Sequence, residues 1–285
     1  MLKDTQFIFF GSPRFAQIVL NRLIEDGISP YAVVCNPDRP VGRKHIITPP
    51  PVKQLILDKK IPVKILQPEN KPDIIAMLST KEYSNVKYAI VAAYSKILDK
   101  EVIDKFPLGI IGVHPSLLPK FRGASPIQSA IISGDPETGT TLFIIDEKMD
   151  HGSILDQERM DISDSGWNYE RLEEALANSS ANALIRTLPL YVEGKVTPKP
   201  QDESLATITR KFVTEDGLVD LKSDEPIGVY RKIMALNPDP GAYSIINGKR
   251  VKLLDAKING TEITVTKIQP EGKMPQTAAL KLPLF

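Results

Sequence analysis

The run Tyr88-Ala89-Ile90-Val91-Ala92-Ala93 carries no charged residue at either set of alternating positions, so a strand built from it must be covered on both faces. Such a strand belongs inside a parallel α/β sheet. Phe7-Ile8-Phe9-Phe10 points the same way. It runs straight into Gly11-Ser12-Pro13 and then into Phe15, Ile18, Val19, Leu20 and Leu23, spaced as one face of a helix. Tyr31 to Cys35, Val63 to Ile65, Gly109 to His114 and Thr140 to Ile145 predict further strands, and Tyr169 to Tyr191 predicts an amphipathic helix. The expected first domain is an α/β, mostly parallel sheet, with ligands gathered outside the carboxyl ends of its strands. Gly11-Ser12-Pro13 reads as a plain strand-to-helix turn, because it lacks the later glycines of a dinucleotide fingerprint and the Gly-Lys-Ser/Thr of a phosphate loop.

After that helix the character of the chain changes. Gly194 to Glu203 is polar and proline-bearing, as a surface linker is, and a short helix from Ile227 to Leu236 follows. Three strand-like runs come next, two of them flanking Asn247-Gly248, the dipeptide of tight hairpins. Three divisions are therefore expected: a first domain over 1–189, a linker over 190–206 and a small β module over 207–285. The chain as a whole has 36 Lys+Arg against 35 Asp+Glu, which excludes a global field that draws it to polyanions. From residue 240 onward, seven basic residues stand against three acids, so any such contact is local. One cysteine and three scattered histidines exclude an internal disulfide and a Cys/His zinc cluster, so no metal is expected. No apolar stretch approaches a membrane span; the expectation is a cytoplasmic, monomeric protein without a membrane partner.

Three segments have the makings of chemistry. Residues 36–53 form a long proline-rich connection with Arg39, Arg43, Lys44 and Lys53 against Asp38; it is either a solvated loop or a polyanion-contacting arm. His114 ends a buried strand and opens Pro115-Ser116-Leu117-Leu118-Pro119, where imidazole suits proton transfer and a proline-flanked loop suits a flat, partly apolar ring. Asp150, in Asp150-His151-Gly152, lies just past the neighbouring strand. It either pairs with His114 or makes only a local turn bond.

The order of segments is more specific than any one of them. Phe9-Phe10-Gly11-Ser12-Pro13, Asn36 to Lys44, Val91-Ala92-Ala93-Tyr94, Val113-His114-Pro115-Ser116-Leu117-Leu118-Pro119-Lys120-Phe121-Arg122-Gly123-Ala124, Gly134 to Gly139 and Met149-Asp150-His151-Gly152 together closely resemble the methionyl-tRNA formyltransferases of the folate-dependent formyltransferase family. Gln201-Asp202-Glu203, Ala235 to Pro238 and Gln269 to Lys273 are similar to the same family's linker and C-terminal module.

The resemblance implies a Rossmann-like catalytic domain, then an OB-like β-barrel. It implies formyl transfer from 10-formyltetrahydrofolate to the α-amino group of initiator methionyl-tRNA. His114 and Asp150 are the implied catalytic pair. Ser116, Leu117, Leu118, Pro119 and Tyr94 are the implied folate contacts, and Arg39, Arg43, Lys44, Lys249, Arg250 and Lys252 the implied tRNA contacts.

Two departures stand out. The family pattern is Asn-x-His, whereas Gly112 occupies the first position here, so one side-chain donor is missing; a glycine is expected to leave room for a water in its place. The short stretch from Leu254 to Thr264 implies a barrel trimmed by a strand or two. The rival readings are an N-formyltransferase for an amino sugar or other small amine, and a catalytically weakened homologue that binds tRNA or folate.

Overall fold

Every strand expected in the first half of the chain is present in the computed structural model, which describes residues 6–42 and 44–283. In chain order the elements are β1 (Gln6–Gly11), α1 (Arg14–Glu25), β2 (Ala32–Val34), β3 (Arg39–Val41), β4 (Ile46–Thr48), α2 (Pro51–Asp58), β5 (Lys64–Leu66), α3 (Lys71–Leu78), β6 (Val86–Ala92), α4 (Lys100–Ile103), β7 (Ile110–His114) and β8 (Arg122–Gly123). They continue with α5 (Pro126–Ser133), β9 (Glu137–Ile144), β10 (Ile154–Asp161), α6 (Tyr169–Val192), β11 (Ile208–Thr209), α7 (Pro226–Leu236), β12 (Tyr243–Ile246), β13 (Lys249–Asn259), β14 (Glu262–Pro270) and β15 (Gln276–Pro283). Two units result: residues up to 122 with 139–159 and 174–207, and residues 123–138 and 160–173 with everything from 208.

The first unit is built on a seven-stranded sheet of order β10-β9-β7-β6-β1-β2-β5. Its β7, β6, β1, β2 and β5 are parallel neighbours, and β9 runs antiparallel to β7. Alternation within β1 sorts its side chains. Ile8 and Phe10 join a buried cluster with Ala32, Val34, Ile74, Ala89 and Ile110, while Phe7 stacks on Tyr88 at 5.2 Å on the other face. The sheet is therefore apolar on both sides at its centre, as β6 requires. At its carboxyl edge the turn after β1 is structural: the Ser12 hydroxyl accepts from the Asn36 amide at 2.9 Å, and the Ser12 carbonyl accepts from Val52.

The connection over 36–53, expected as one long loop, is a hairpin followed by a helix. β3 pairs with β4 antiparallel, Arg39 opposite Thr48 and Val41 opposite Ile46, and α2 begins at Pro51. The reason lies in the residues. Val41, Ile46, Ile47 and Thr48 are β-branched, and proline at the first helical position presets φ where no N–H is needed. Lys53 anchors the base of the hairpin by donating to both carboxylate oxygens of Asp38 and to Gln67 Oε1, at 2.8–2.9 Å.

In the second unit α5 packs against α7, and α7 against β13. The sheet is an antiparallel meander, β12-β13-β14-β15, whose first hairpin turns on Asn247 and Gly248 at φ 50° and 74°, the two positive values that such a turn demands. Among the described residues the four strands pair only with their neighbours in sequence, so the structure shows an open antiparallel sheet where an OB-like barrel is expected, because no pairing closes β15 back onto β12. β15 was not legible as a strand, because it is an edge with only Leu282 buried. In the same unit, the Arg210 guanidinium holds the Asp216 carboxyl down at about 2, so the pair's stabilisation is present above the ordinary value of 3.8 and is lost as the pH falls toward 2. Asp216→Asn should flatten the acid limb of unfolding across that window, read by circular dichroism; an unchanged limb overturns this.

Candidate active site

β7 delivers His114 to the carboxyl edge of the sheet because its four preceding residues are fully committed to the core. The imidazole is 6% exposed, and its Nε2 lies 2.8 Å from the Phe121 carbonyl. A carbonyl only accepts, so Nε2 carries a proton and Nδ1 is the nitrogen left for chemistry. Nδ1 faces Asp150 Oδ2 at 3.6 Å. The two residues expected to converge do so, at a separation slightly longer than a direct hydrogen bond.

Backbone conformation sets this geometry. Phe121 and Asp150 both lie in the left-handed region, at φ 60° and 50°, a strained state that persists only where the surroundings over-determine it. Phe121 is held by His114 on its carbonyl and by Thr207 Oγ1, which accepts from its N–H at 2.8 Å. Asp150 is held by Gln201, whose Nε2 donates to the carbonyls of Asp150 at 2.9 Å and Gly152 at 2.8 Å. Gly152 itself is obligatory: a Cβ there would stand 1.7 Å from the Ile144 carbonyl oxygen.

The loop Ser116–Pro119 is braced from beneath. Thr141 Oγ1 donates to the Ser116 carbonyl at 2.7 Å and accepts from the Leu118 amide at 3.0 Å, while Gln157 donates to the Leu118 carbonyl at 2.8 Å. Ser116 is fully buried and its hydroxyl donates to the Lys120 carbonyl; Leu118 is 3% exposed. Leu117 and Pro119 remain half-buried, as the side chains a flat ring would meet. Tyr94 packs edge-on against Phe10 at 5.5 Å beside the core cluster. Its hydroxyl has no partner among the described residues, and burial pushes the phenol up to about 12.

Gly112 does not leave room for a water. Phe143 stands opposite it in the β7–β9 pairing, and a Cβ on Gly112 would lie 2.4 Å from Phe143 Cε1. The ring fills the space above the glycine, so the expected gap is closed by an aromatic side chain.

The basic candidates are distributed between the two units. Arg39 pairs with Glu69 at 2.5 Å on the surface, Lys44 is exposed at the hairpin turn, and Arg43 lies outside the described residues. In the second unit Arg250 and Lys252 share the face of β13 opposite buried Val251 and Leu253, with the Arg250 guanidinium 3.7 Å from the Tyr243 ring centroid; Lys249 is exposed beside the turn.

What sequence reasoning missed is the set Arg122, Gln201 and Glu203. Arg122 donates from Nε and Nη2 to Gln201 Oε1, at 3.1 and 2.7 Å, and from Nη1 and Nη2 to Glu203, at 3.0 and 2.6 Å. The signal was a polar triplet, Gln201-Asp202-Glu203, inside an apparent linker, and nothing local ties it to Asp150.

A formyl transferase family model matches residues 5–188, and a formyl transferase C-terminal domain model matches 211–274. A methionyl-tRNA formyltransferase of Halalkalibacterium halodurans is 40% identical over 293 residues, covering 94% of this chain and 91% of that protein. One from Chloroflexus aurantiacus is 37% identical over 272 residues, covering 94% and 86%. Among solved structures, HypX from Aquifex aeolicus in complex with tetrahydrofolic acid shares the fold at a TM-score of 0.67 and 18% identity; the match covers 99% of this chain, which spans 46% of HypX. With both domain models matched and methionyl-tRNA formyltransferases 37–40% identical over 94% of its length, this chain, whose His114 and Asp150 face each other at the carboxyl edge of the sheet, belongs to the methionyl-tRNA formyltransferase family.

Proposed function

We propose that the protein transfers the formyl group of 10-formyltetrahydrofolate to the α-amino group of initiator methionyl-tRNA. The observation that carries this reading is the His114–Asp150 pair, Nδ1 facing Oδ2 at 3.6 Å with Nε2 already spent on Phe121, at the sheet edge of a formyltransferase-family chain. The folate supplies an activated formyl group, so the residues need only position and move protons. The amine nitrogen forms a bond to the formyl carbon, the bond from that carbon to the folate nitrogen breaks, and one proton passes from the amine to the folate nitrogen. His114, protonated at Nδ1, donates to the oxygen that gains charge. Asp150 accepts the amine proton and returns it to the leaving nitrogen. Leu117 and Pro119 offer the ring an apolar seat on a loop that Thr141 and Gln157 keep rigid. Ser116 and Leu118 act below that seat.

Arg39 and Lys44 on the hairpin, Arg43 from the same stretch of sequence, and Lys249, Arg250 and Lys252 on β13 are the proposed tRNA contacts. Each phosphate neutralised releases condensed counterions. The KM for methionyl-tRNA should therefore rise with salt, and charge-removing variants at these positions should flatten the log–log slope by about one per lost contact. Formylation assays across a salt series test this; a salt-independent KM, or equal transfer to free small amines, overturns the tRNA assignment.

The Phe143 ring over Gly112 favours a second reading within the same activity, a slower enzyme whose charged oxygen relies on His114 Nδ1 without a side-chain donor from Gly112. Proton transfer would remain intact, so it would lower kcat rather than abolish it.

A further inference from the structure

Asp150 holds a left-handed backbone where its carboxylate faces His114 at 3.6 Å. The restraint comes from a side chain 51 positions away. Both ends of the Gln201 carboxamide are used: Oε1 accepts from the Arg122 guanidinium, and Nε2 donates to the carbonyls of Asp150 and Gly152. Arg122 is 6% exposed, is fixed on its other edge by Glu203, and directly follows Phe121, whose carbonyl takes the His114 Nε2 proton. One hydrogen-bonded chain thus runs from the far nitrogen of the imidazole, through the backbone at 121–122 and the guanidinium, to the backbone of the facing carboxylate. Only a neutral amide serves at its centre. A carboxylate would lose both donors and face two carbonyl oxygens, and an ammonium would lose the acceptor.

Resting on the formyl-transfer reading above, we propose that Gln201 is a positioning residue that aims Asp150 at His114, so that the segment after α6 is part of the catalytic machinery. Gln201→Met keeps the volume and removes every hydrogen bond; Gln201→Glu keeps only the acceptor for Arg122. Both should lower kcat about 100-fold with KM for either substrate unchanged, because the misplacement affects the reacting geometry and not the binding surfaces. Gln201→Asn, with the amide one methylene short, should recover part of the loss.

A second readout needs no turnover. With three histidines in the chain the imidazole proton spectrum is readable, and the His114 signals of Gln201→Met should move toward their positions in Asp150→Asn. Wild-type kcat in both the Met and Glu variants, or His114 signals that stay in place, overturns the proposal. If the wild-type protein forms no formylmethionyl-tRNA but the His114 signals move, the positioning role stands and the formyl-transfer reading fails.

Discussion

Asp150→Asn should lower kcat for formyl transfer about 100- to 10,000-fold while leaving the fold and tRNA binding intact. Asparagine is the informative replacement. It is isosteric, and it is among the few residues that tolerate the left-handed conformation Asp150 adopts at φ 50°, so the variant removes the charge without adding backbone strain. Alanine would confuse the two effects. His114→Ala should be at least as severe for turnover, and it also leaves the Phe121 carbonyl without its donor, so some loss of stability accompanies it. Single-turnover formylation with saturating substrates, alongside thermal unfolding, separates the contributions. An Asp150→Asn enzyme within about tenfold of wild type would remove Asp150 from the proton path.

The second large effect concerns Gly112. Restoring the asparagine of the family pattern should fail to raise the rate and should destabilise the protein, because its Cβ would stand 2.4 Å from the Phe143 ring. Phe143 is 3% exposed, so the ring has little freedom to move, and overpacking of this kind costs about 1–3 kcal/mol. Phe143→Ala alone opens a cavity at a cost of about 3–5 kcal/mol. The double variant Gly112→Asn/Phe143→Ala should cost less than the two together, since each change relieves the other, with a coupling of about 0.5–3 kcal/mol. It should also turn over faster than Phe143→Ala, because it regains a donor at the charged oxygen. Denaturant unfolding of the four proteins closes the cycle. Additivity within about 0.5 kcal/mol would mean that the ring is not what excludes a side chain at Gly112.

Legibility differed from place to place for physical reasons. The strand ending at His114 and the turn after β1 were readable because burial and turn chemistry repeat with the local period of the chain. The hairpin β3–β4 was missed because prolines and charge dominate the composition of 36–53, while its pairing depends on only six residues. The glycine was noticed, yet its consequence was misjudged, since which side chain covers Gly112 is a matter of register against β9. Gln201 was assigned to a linker because polarity marks an exposed segment equally well whether or not it returns to a site.

By itself, then, the order of residues determined the mostly parallel sheet and singled out a candidate imidazole, a candidate carboxyl group and the basic segment 36–53, because each is written within a single element or connection. Tertiary structure alone decided that Nδ1 and not Nε2 faces the aspartate, that an aromatic ring closes the space over Gly112, and that Gln201 grips the Asp150 loop. Those three facts join residues separated by 7 to 51 positions or paired across strands, and only the packing of one element on another brings such groups within hydrogen-bond or van der Waals reach.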